Sequence, residues 1–231
     1  MKKFTKRTKS YIDIVDKSKE YSIAEAIEVL KKASKTKFDE SIDISMKLNV
    51  KPKELTQPIR GSVALPNGTG KKVSVCAICK GEDEKKAKDA GADHAGADEL
   101  IAKIAGGWTD FDVAVATPEM MKFMAKLGKV LGPKGMMPNP KSGTVTTDIE
   151  KTIKEIKAGK IEYKMDKQAG VHVSIGRVSF SNESIIENAN EFLKTIISSH
   201  GTLQKPNVLQ SIYMAKTMGP GVSLDLNQFR R

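Results

Sequence analysis

The chain has 231 residues, enough for one large domain or two modest ones, and a hydrophobic content of 39% supplies ordinary cores. No apolar run approaches the roughly 20 residues of a spanning helix, and no apolar stretch follows the basic start MKKFTKRTKS as in a signal peptide, so a cytoplasmic protein without membrane association is expected. A formal charge of +11, from 39 Lys and Arg against 28 Asp and Glu, points to a polyanionic partner, because phosphate contacts release condensed counterions.

Ser22-Ile23-Ala24-Glu25 matches a capping box, and Ile23, Ala26, Ile27, Leu30 and Ala33 form one apolar stripe, predicting a helix that ends near Lys35. Residues 40–50 alternate through Ile42, Ile44, Met46 and Leu48, the pattern of a half-buried strand. A polar loop with Pro52 and Pro58 leads to a second strand at 61–65.

Pro66-Asn67-Gly68-Thr69-Gly70 opens a different texture, in which strands at 73–79, 92–94 and 112–116 alternate with helices at 82–90, 98–105 and 118–130, the last starting on Pro118. That rhythm predicts βαβ units and a parallel sheet. Residues 131–143 hold three prolines and three glycines and read as irregular; a short strand at 144–147 and a helix at 149–157, closed by Ala158-Gly159, follow. Beyond Gly159 the alternating strands 160–165 and 171–175 read as a hairpin turned at 166–170. Residues 183–198 form an amphipathic helix with Ile185, Ile186, Ala189, Phe192, Leu193, Ile196 and Ile197 inward. Strands at 211–215 and 222–226 flank the turn Met218-Gly219-Pro220-Gly221. Glycines at 68, 70 and 159 therefore read as a hinge, with an α/β block at 68–159 inserted into a domain made from 1–67 and 160–231.

Charge follows this division. Residues 1–67 carry a net +6, 68–159 a net +2 and 160–231 a net +3, so the two ends are the better candidates to face a polyanion.

Catalytic readings fail one by one. Gly68-Thr69-Gly70-Lys71 lacks the first glycine of a phosphate loop, Leu65 standing there, and has Lys72 where Ser or Thr belongs. Those glycines also precede a strand instead of following one, as a dinucleotide fingerprint would. Cys76 and Cys79 are a lone pair in a strand, pointing to opposite faces, which suits packing better than a metal or a disulfide. His94, His172 and His200 form no metal motif, and His200 beside Gly201 marks a helix end. No cofactor and no catalytic site are expected. A nucleotide-dependent enzyme on the βαβ block and a general RNA chaperone are the rival readings.

Three stretches carry a more specific signal: Lys37-Phe38-Asp39-Glu40-Ser41-Ile42-Asp43 with Arg60-Gly61 and Pro66–Lys71; the loop from Leu127 to Pro140 (LGKVLGPKGMMPNP); and Thr217-Met218-Gly219-Pro220-Gly221. In order, spacing and length the chain resembles the bacterial form of the L one family of ribosomal proteins. The resemblance implies an α+β domain built from both chain ends, a split β-α-β with an antiparallel sheet, and an inserted α/β Rossmann-like domain. It implies a constituent of the mobile stalk of the large subunit that binds large-subunit rRNA, assists release of deacylated tRNA at the exit site, represses translation by binding its own operon mRNA, and is monomeric off the ribosome.

The family's RNA-binding pattern falls on Lys37, Phe38, Ser41, Lys164, Asp166, Lys167, His172, Ser211, Thr217, Met218 and Gly219. Lys37 suits a phosphate, and Phe38 is either a flat face for a base or ribose or a core residue at a strand start. Ser41 and Ser211 suit ribose hydroxyls or phosphates, or need no partner as exposed strand serines. Residues 164–172 are either an RNA contact or a solvated turn. Glycine at 219 lets backbone approach RNA closely, and the soft Met218 side chain suits a sugar or base. One departure is Lys164-Met165-Asp166-Lys167 where the family usually has Arg-Asn-Asp-Lys, which removes a bidentate fork and an amide and implies weaker or differently made contacts there.

Overall fold

A computed structural model describes residues 5, 9–11, 14–16, 19–33, 36–50, 59–199 and 209–226. The readings made on most of the N-terminal basic run, Lys35, the Pro52–Pro58 loop and the His200–Gly201 helix end lie outside the described residues. The backbone contacts divide the chain into two compact units, Met1–Gly70 with Tyr163–Arg231, and Lys71–Glu162. Both crossing points fall three residues beyond those read from the glycines.

In the first unit, α1 (Ile23–Lys32) begins on the expected capping box: the Ser22 hydroxyl accepts from the Glu25 amide, and the Glu25 carboxylate accepts from the Ser22 amide at 3.1 Å. Ile23, Ala26, Ile27 and Leu30 are its buried stripe, and the helix stops at Lys32, where Ala33 turns extended. β1 (Ser41–Leu48) buries every second residue. It lies at the centre of an antiparallel sheet between β7 (Gly170–Arg177) and β8 (Leu209–Lys216), with β9 (Gly221–Ser223) outside β8. The expected 222–226 strand is shorter: β9 ends at Ser223, and Leu224 forms a single bridge with Tyr21 while its amide still donates to the Ile212 carbonyl.

Helices α1 and α7 (Asn182–Ser199) pack on each other and on this sheet. The core between them is Ile27, Leu30, Ile42, Ile44, Val171, Ile175, Ile185, Ala189, Phe192, Ile212 and Met214, all buried, while Ile186 and Ile197 sit at the margin. Because α7 connects β7 to β8 across β1, this is a split β-α-β arrangement.

β2 (Arg60–Ala64) pairs not with β1 but with β6 (Lys160–Lys164) in a separate two-stranded sheet. The expected hairpin of 160–165 with 171–175 is therefore corrected: β6 and β7 belong to different sheets. The turn signal was real, since the Asp166 carboxylate accepts from the amides of Gln168 (2.8 Å) and Gly170 (2.6 Å), and Ala169 takes a left-handed φ of 63°. Its flanking strands pair elsewhere, β6 with β2 and β7 with β1.

The second unit has a parallel sheet in the order β4 (His94–Gly96), β3 (Val75–Ile78), β5 (Val113–Ala116). α2 (Glu82–Asp89) and α3 (Asp98–Ala105) are the crossovers, and α6 (Ile149–Ala158) packs with α2. The single helix expected at 118–130 is broken: residues 118–120 turn, α4 (Met121–Met124) is one turn long, a 3₁₀ turn spans Ala125–Leu127, and α5 runs Gly128–Lys134. That last helix enters the segment read as irregular despite containing Pro133. One missing donor near its C-terminal end is tolerated because Leu127 and Leu131 are buried in the core beside β3 and β5. The expected 144–147 strand reduces to one bridge, Val145 to Ala116.

Candidate nucleic-acid interface

Residues 217–219 sit on a support that begins with strand alternation. On β8 the inward positions run Ile212, Met214, Lys216, and on the approach to β1 they run Glu40, Ile42, Ile44, with Ile42 directly opposite Lys216. A lysine and a glutamate are thus carried into the core, where both are 3% exposed and pair at 3.1 Å. Lys216 Nζ also donates to the Ala33 carbonyl at the end of α1 (3.3 Å), and the second Glu40 oxygen accepts from the Met218 amide at 3.0 Å. The Thr217 amide donates to the Ser41 carbonyl (3.1 Å), the Thr217 hydroxyl accepts from the Ser41 amide (3.0 Å), and the Gly219 amide closes the turn on the Lys216 carbonyl (2.9 Å).

Gly219 lies against the Lys216 stem so closely that a Cβ there would stand 2.9 Å from Lys216 Cε. Glycine at 219 is therefore required by packing as well as by any close approach of a partner. Above this support the Met218 side chain is 49% exposed and Thr217 is exposed. Sequence reasoning named 217–219 but missed Glu40 and Lys216, whose signal was their inward place in two alternating strands.

Phe38 is 55% exposed, which removes the reading of it as a core residue. Its backbone is nonetheless held: the Thr36 hydroxyl donates to the Phe38 carbonyl (2.7 Å), the Asp39 carboxylate accepts from the Ser179 amide and hydroxyl (3.1 and 2.7 Å), and the Glu40 carbonyl accepts from Val178 (2.9 Å). A backbone held on both flanks leaves only the side-chain torsions to be ordered when the ring stacks. Lys37 beside it is exposed.

The face of the antiparallel sheet opposite its buried side carries Ser41, Asp43, Ser45 and Lys47 from β1, His172 and Ser174 from β7, and Ser211, Tyr213, Ala215 and then Thr217 from β8. Ser41, Ser211, His172 and Thr217 are thus brought onto one side. His172 Nδ1 lies 3.0 Å from the Ser45 hydroxyl, and its Nε2 is 3.6 Å from Asp166. Hydrogen bonds from the Gly170 and Gln168 amides, with His172 nearby, hold the Asp166 carboxyl below the usual carboxylate range. Lys164 and Lys167 are exposed. Met165, however, is 4% exposed and turned inward, so its replacement of an amide bears on packing, not on a surface contact as expected.

Of the glycines read as a hinge, Gly68 and Gly70 take left-handed φ values of 63° and 70°, and Gly159, at 114°, terminates α6. Asn188, fully buried on α7, accepts from the Asn67 amide (3.1 Å) and donates to the Gly68 carbonyl (2.9 Å), tying residues 67–68 to the first unit. Cys76 and Cys79 are buried in apolar clusters on opposite faces of the parallel sheet, and burial pushes their thiols up to about 12 and about 11. Among the described residues no group of three or more His, Cys, Asp or Glu is placed to hold a metal ion, and no helix is long and apolar enough to cross a membrane.

A turn braced from below, an exposed aromatic ring and a hydroxyl-lined sheet face thus all belong to the first unit. Residues 30–220 match the model of the Ribosomal protein L1p/L10e family. Curated relatives called "Large ribosomal subunit protein uL1" include that of Protochlamydia amoebophila, 48% identical over 224 residues covering 97% of this chain and 95% of the relative. Those of Lactobacillus acidophilus and Amoebophilus asiaticus are also 48% identical, covering 95% and 97% of this chain and 97% of each relative. The chain belongs to this family of ribosomal proteins, and it is not an enzyme.

Proposed function

We propose that the chain is a structural constituent of the large ribosomal subunit and binds large-subunit rRNA through the unit built from its two ends. The observation that carries this is the buried Glu40–Lys216 pair holding the Met218 amide, with Thr217, Met218 and Phe38 exposed above it. Two buried charges are costly, and here they brace one exposed turn. Lys37, Phe38, Ser41, Lys164, Asp166, Lys167, His172, Ser211, Thr217, Met218 and Gly219 form the RNA contact. Lysines supply salt-dependent affinity, while Phe38 and residues 217–219 select the folded RNA.

In the same reading, the first unit is the RNA-binding domain and the second an inserted domain joined through a hinge at Gly68, Gly70 and Gly159. The protein then forms the mobile stalk at the exit site, assists release of deacylated tRNA, and represses its own operon mRNA through the same surface. It is a cytoplasmic protein and a monomer away from the ribosome. The names of the relatives support the subunit assignment, and the +9 net charge of the two ends supports the choice of unit.

The test is a filter-binding titration with a large-subunit rRNA fragment at fixed salt. Met218→Asp should weaken binding at least tenfold, since it sets a carboxylate where RNA approaches, whereas Lys85→Asp, on exposed α2 of the second unit, should change it less than threefold. Equal affinities for the two variants would overturn the proposal.

A further inference from the structure

We infer that Tyr213 makes the open face of the antiparallel sheet a stacking surface for an unpaired RNA base, a contact outside the residue set assigned above; the inference rests on the rRNA-binding reading. Five large hydrophobic side chains are exposed among the described residues, and Tyr213, at 46%, is the one that stands in the middle of a sheet.

Its surroundings follow from register. Tyr213 is directly opposite Ser45 on β1 and Ser223 on β9, and Ser45 is in turn opposite His172 on β7. One row across four strands therefore reads His172, Ser45, Tyr213, Ser223. Neighbouring strands are roughly 4.8 Å apart, so a base lying on the phenol ring has the Ser45 hydroxyl one spacing away and the imidazole two.

Charge gives the base's backbone a direction. The next row on one side is Lys47 opposite Ser211, while the row on the other side is Asp43 opposite Ala215 and Ser174. A phosphate is drawn to the Lys47 end and repelled at the Asp43 end, so the strand enters over Lys47 with its base over Tyr213. The row joins the candidate interface through His172, and the neighbouring Lys47 row joins it through Ser211. An aromatic on an open sheet reading a splayed base is a recurring solution for unpaired RNA, because every base offers a π-face.

A half-exposed tyrosine is also simply a good strand former, and the experiment separates the two roles. Tyr213→Thr removes the ring but leaves a residue of high strand propensity, and Tyr213→Phe keeps the ring. In filter binding with the rRNA fragment, Tyr213→Thr should lose roughly tenfold or more in affinity, with an unchanged salt slope because no phosphate contact is removed; Tyr213→Phe should stay within about threefold. A photoreactive phenylalanine analogue at 213 should crosslink to unpaired nucleotides, a readout that strand propensity alone does not produce. Tyr213→Thr binding like the unmodified chain while Met218→Asp binds poorly, or an analogue that forms no RNA adduct, overturns the stacking role alone. Failure of the unmodified chain to bind overturns the rRNA reading and this inference with it.

Discussion

Replacing Lys216 by Met keeps most of the apolar stem and removes the ammonium, and with it both the ion pair to Glu40 and the donation to the Ala33 carbonyl. Glu40 then remains 3% exposed, with the Met218 amide as its remaining partner of this support. At 3.1 Å, and with an effective dielectric constant of about 20, the lost attraction is roughly 5 kcal/mol. Local relaxation and water drawn to the carboxylate recover part of that, so the net cost is about 3–5 kcal/mol, the usual range for breaking one side of a buried pair. That is a large share of a typical stability of about 5–15 kcal/mol.

Urea unfolding followed by far-UV circular dichroism measures the loss, and hydrogen exchange at the amides of Thr217, Met218 and Gly219 localises it. Exchange there should accelerate well beyond that of β1 amides such as Ile44. Lys216→Met combined with Glu40→Gln should recover most of the stability, because an amide oxygen still accepts from Met218 and no charge is left buried. A single variant that loses under about 1 kcal/mol with unchanged exchange at 217–219 would refute the claim that the pair braces the turn.

Phe38→Ala should weaken binding to the rRNA fragment by about 1–3 kcal/mol in filter binding while shifting stability by less than about 0.5 kcal/mol, since the ring is mostly in solvent. Cys76 and Cys79 should resist a thiol reagent at pH 8 in the folded chain and react fully in guanidinium. Because folding raises both thiol pKa values, their contribution is present below the unfolded value of about 8.5 and fades as pH climbs toward 11–12. Asp166, held low by the Gly170 and Gln168 amides, stabilises its turn above the unfolded carboxylate value of about 3.9 and loses that effect only as pH falls through its lower folded value. Exchange of the Gly170 amide, normalised for intrinsic rate, should therefore stay flat from pH 8 to 5, whereas Asp166→Asn should raise it at every pH.

Much of the fold is written in local pattern. The capping box of α1, the period of β1 and the apolar face of α7 each lie within one element, where spacing alone reports burial. What local pattern does not hold is partner choice: the 166–170 turn has the chemistry of a hairpin, yet its strands pair with β2 and β1 in different sheets, through contacts distant in sequence. Pro133 misled in the other direction, as one lost donor is outweighed by the burial of Leu127 and Leu131. The site divides the same way. Phe38 and 217–219 stand in recognisable motifs, whereas Glu40 and Lys216 look like surface residues by type and are betrayed only by their inward parity. Tyr213 has the opposite parity, which set it on the open face, but only the pairing with β1 shows what stands beside it.

The central claim, that the unit made from both chain ends grips one folded region of large-subunit rRNA, is tested most directly by ultraviolet crosslinking of the chain to total cellular RNA, with both the RNA site and the attached peptides mapped. Crosslinks should fall on a single structured region of large-subunit rRNA and be carried by the peptides around Phe38 and Thr217–Gly219. Crosslinks scattered over bulk RNA, or concentrated on peptides from Lys71–Glu162, would contradict it.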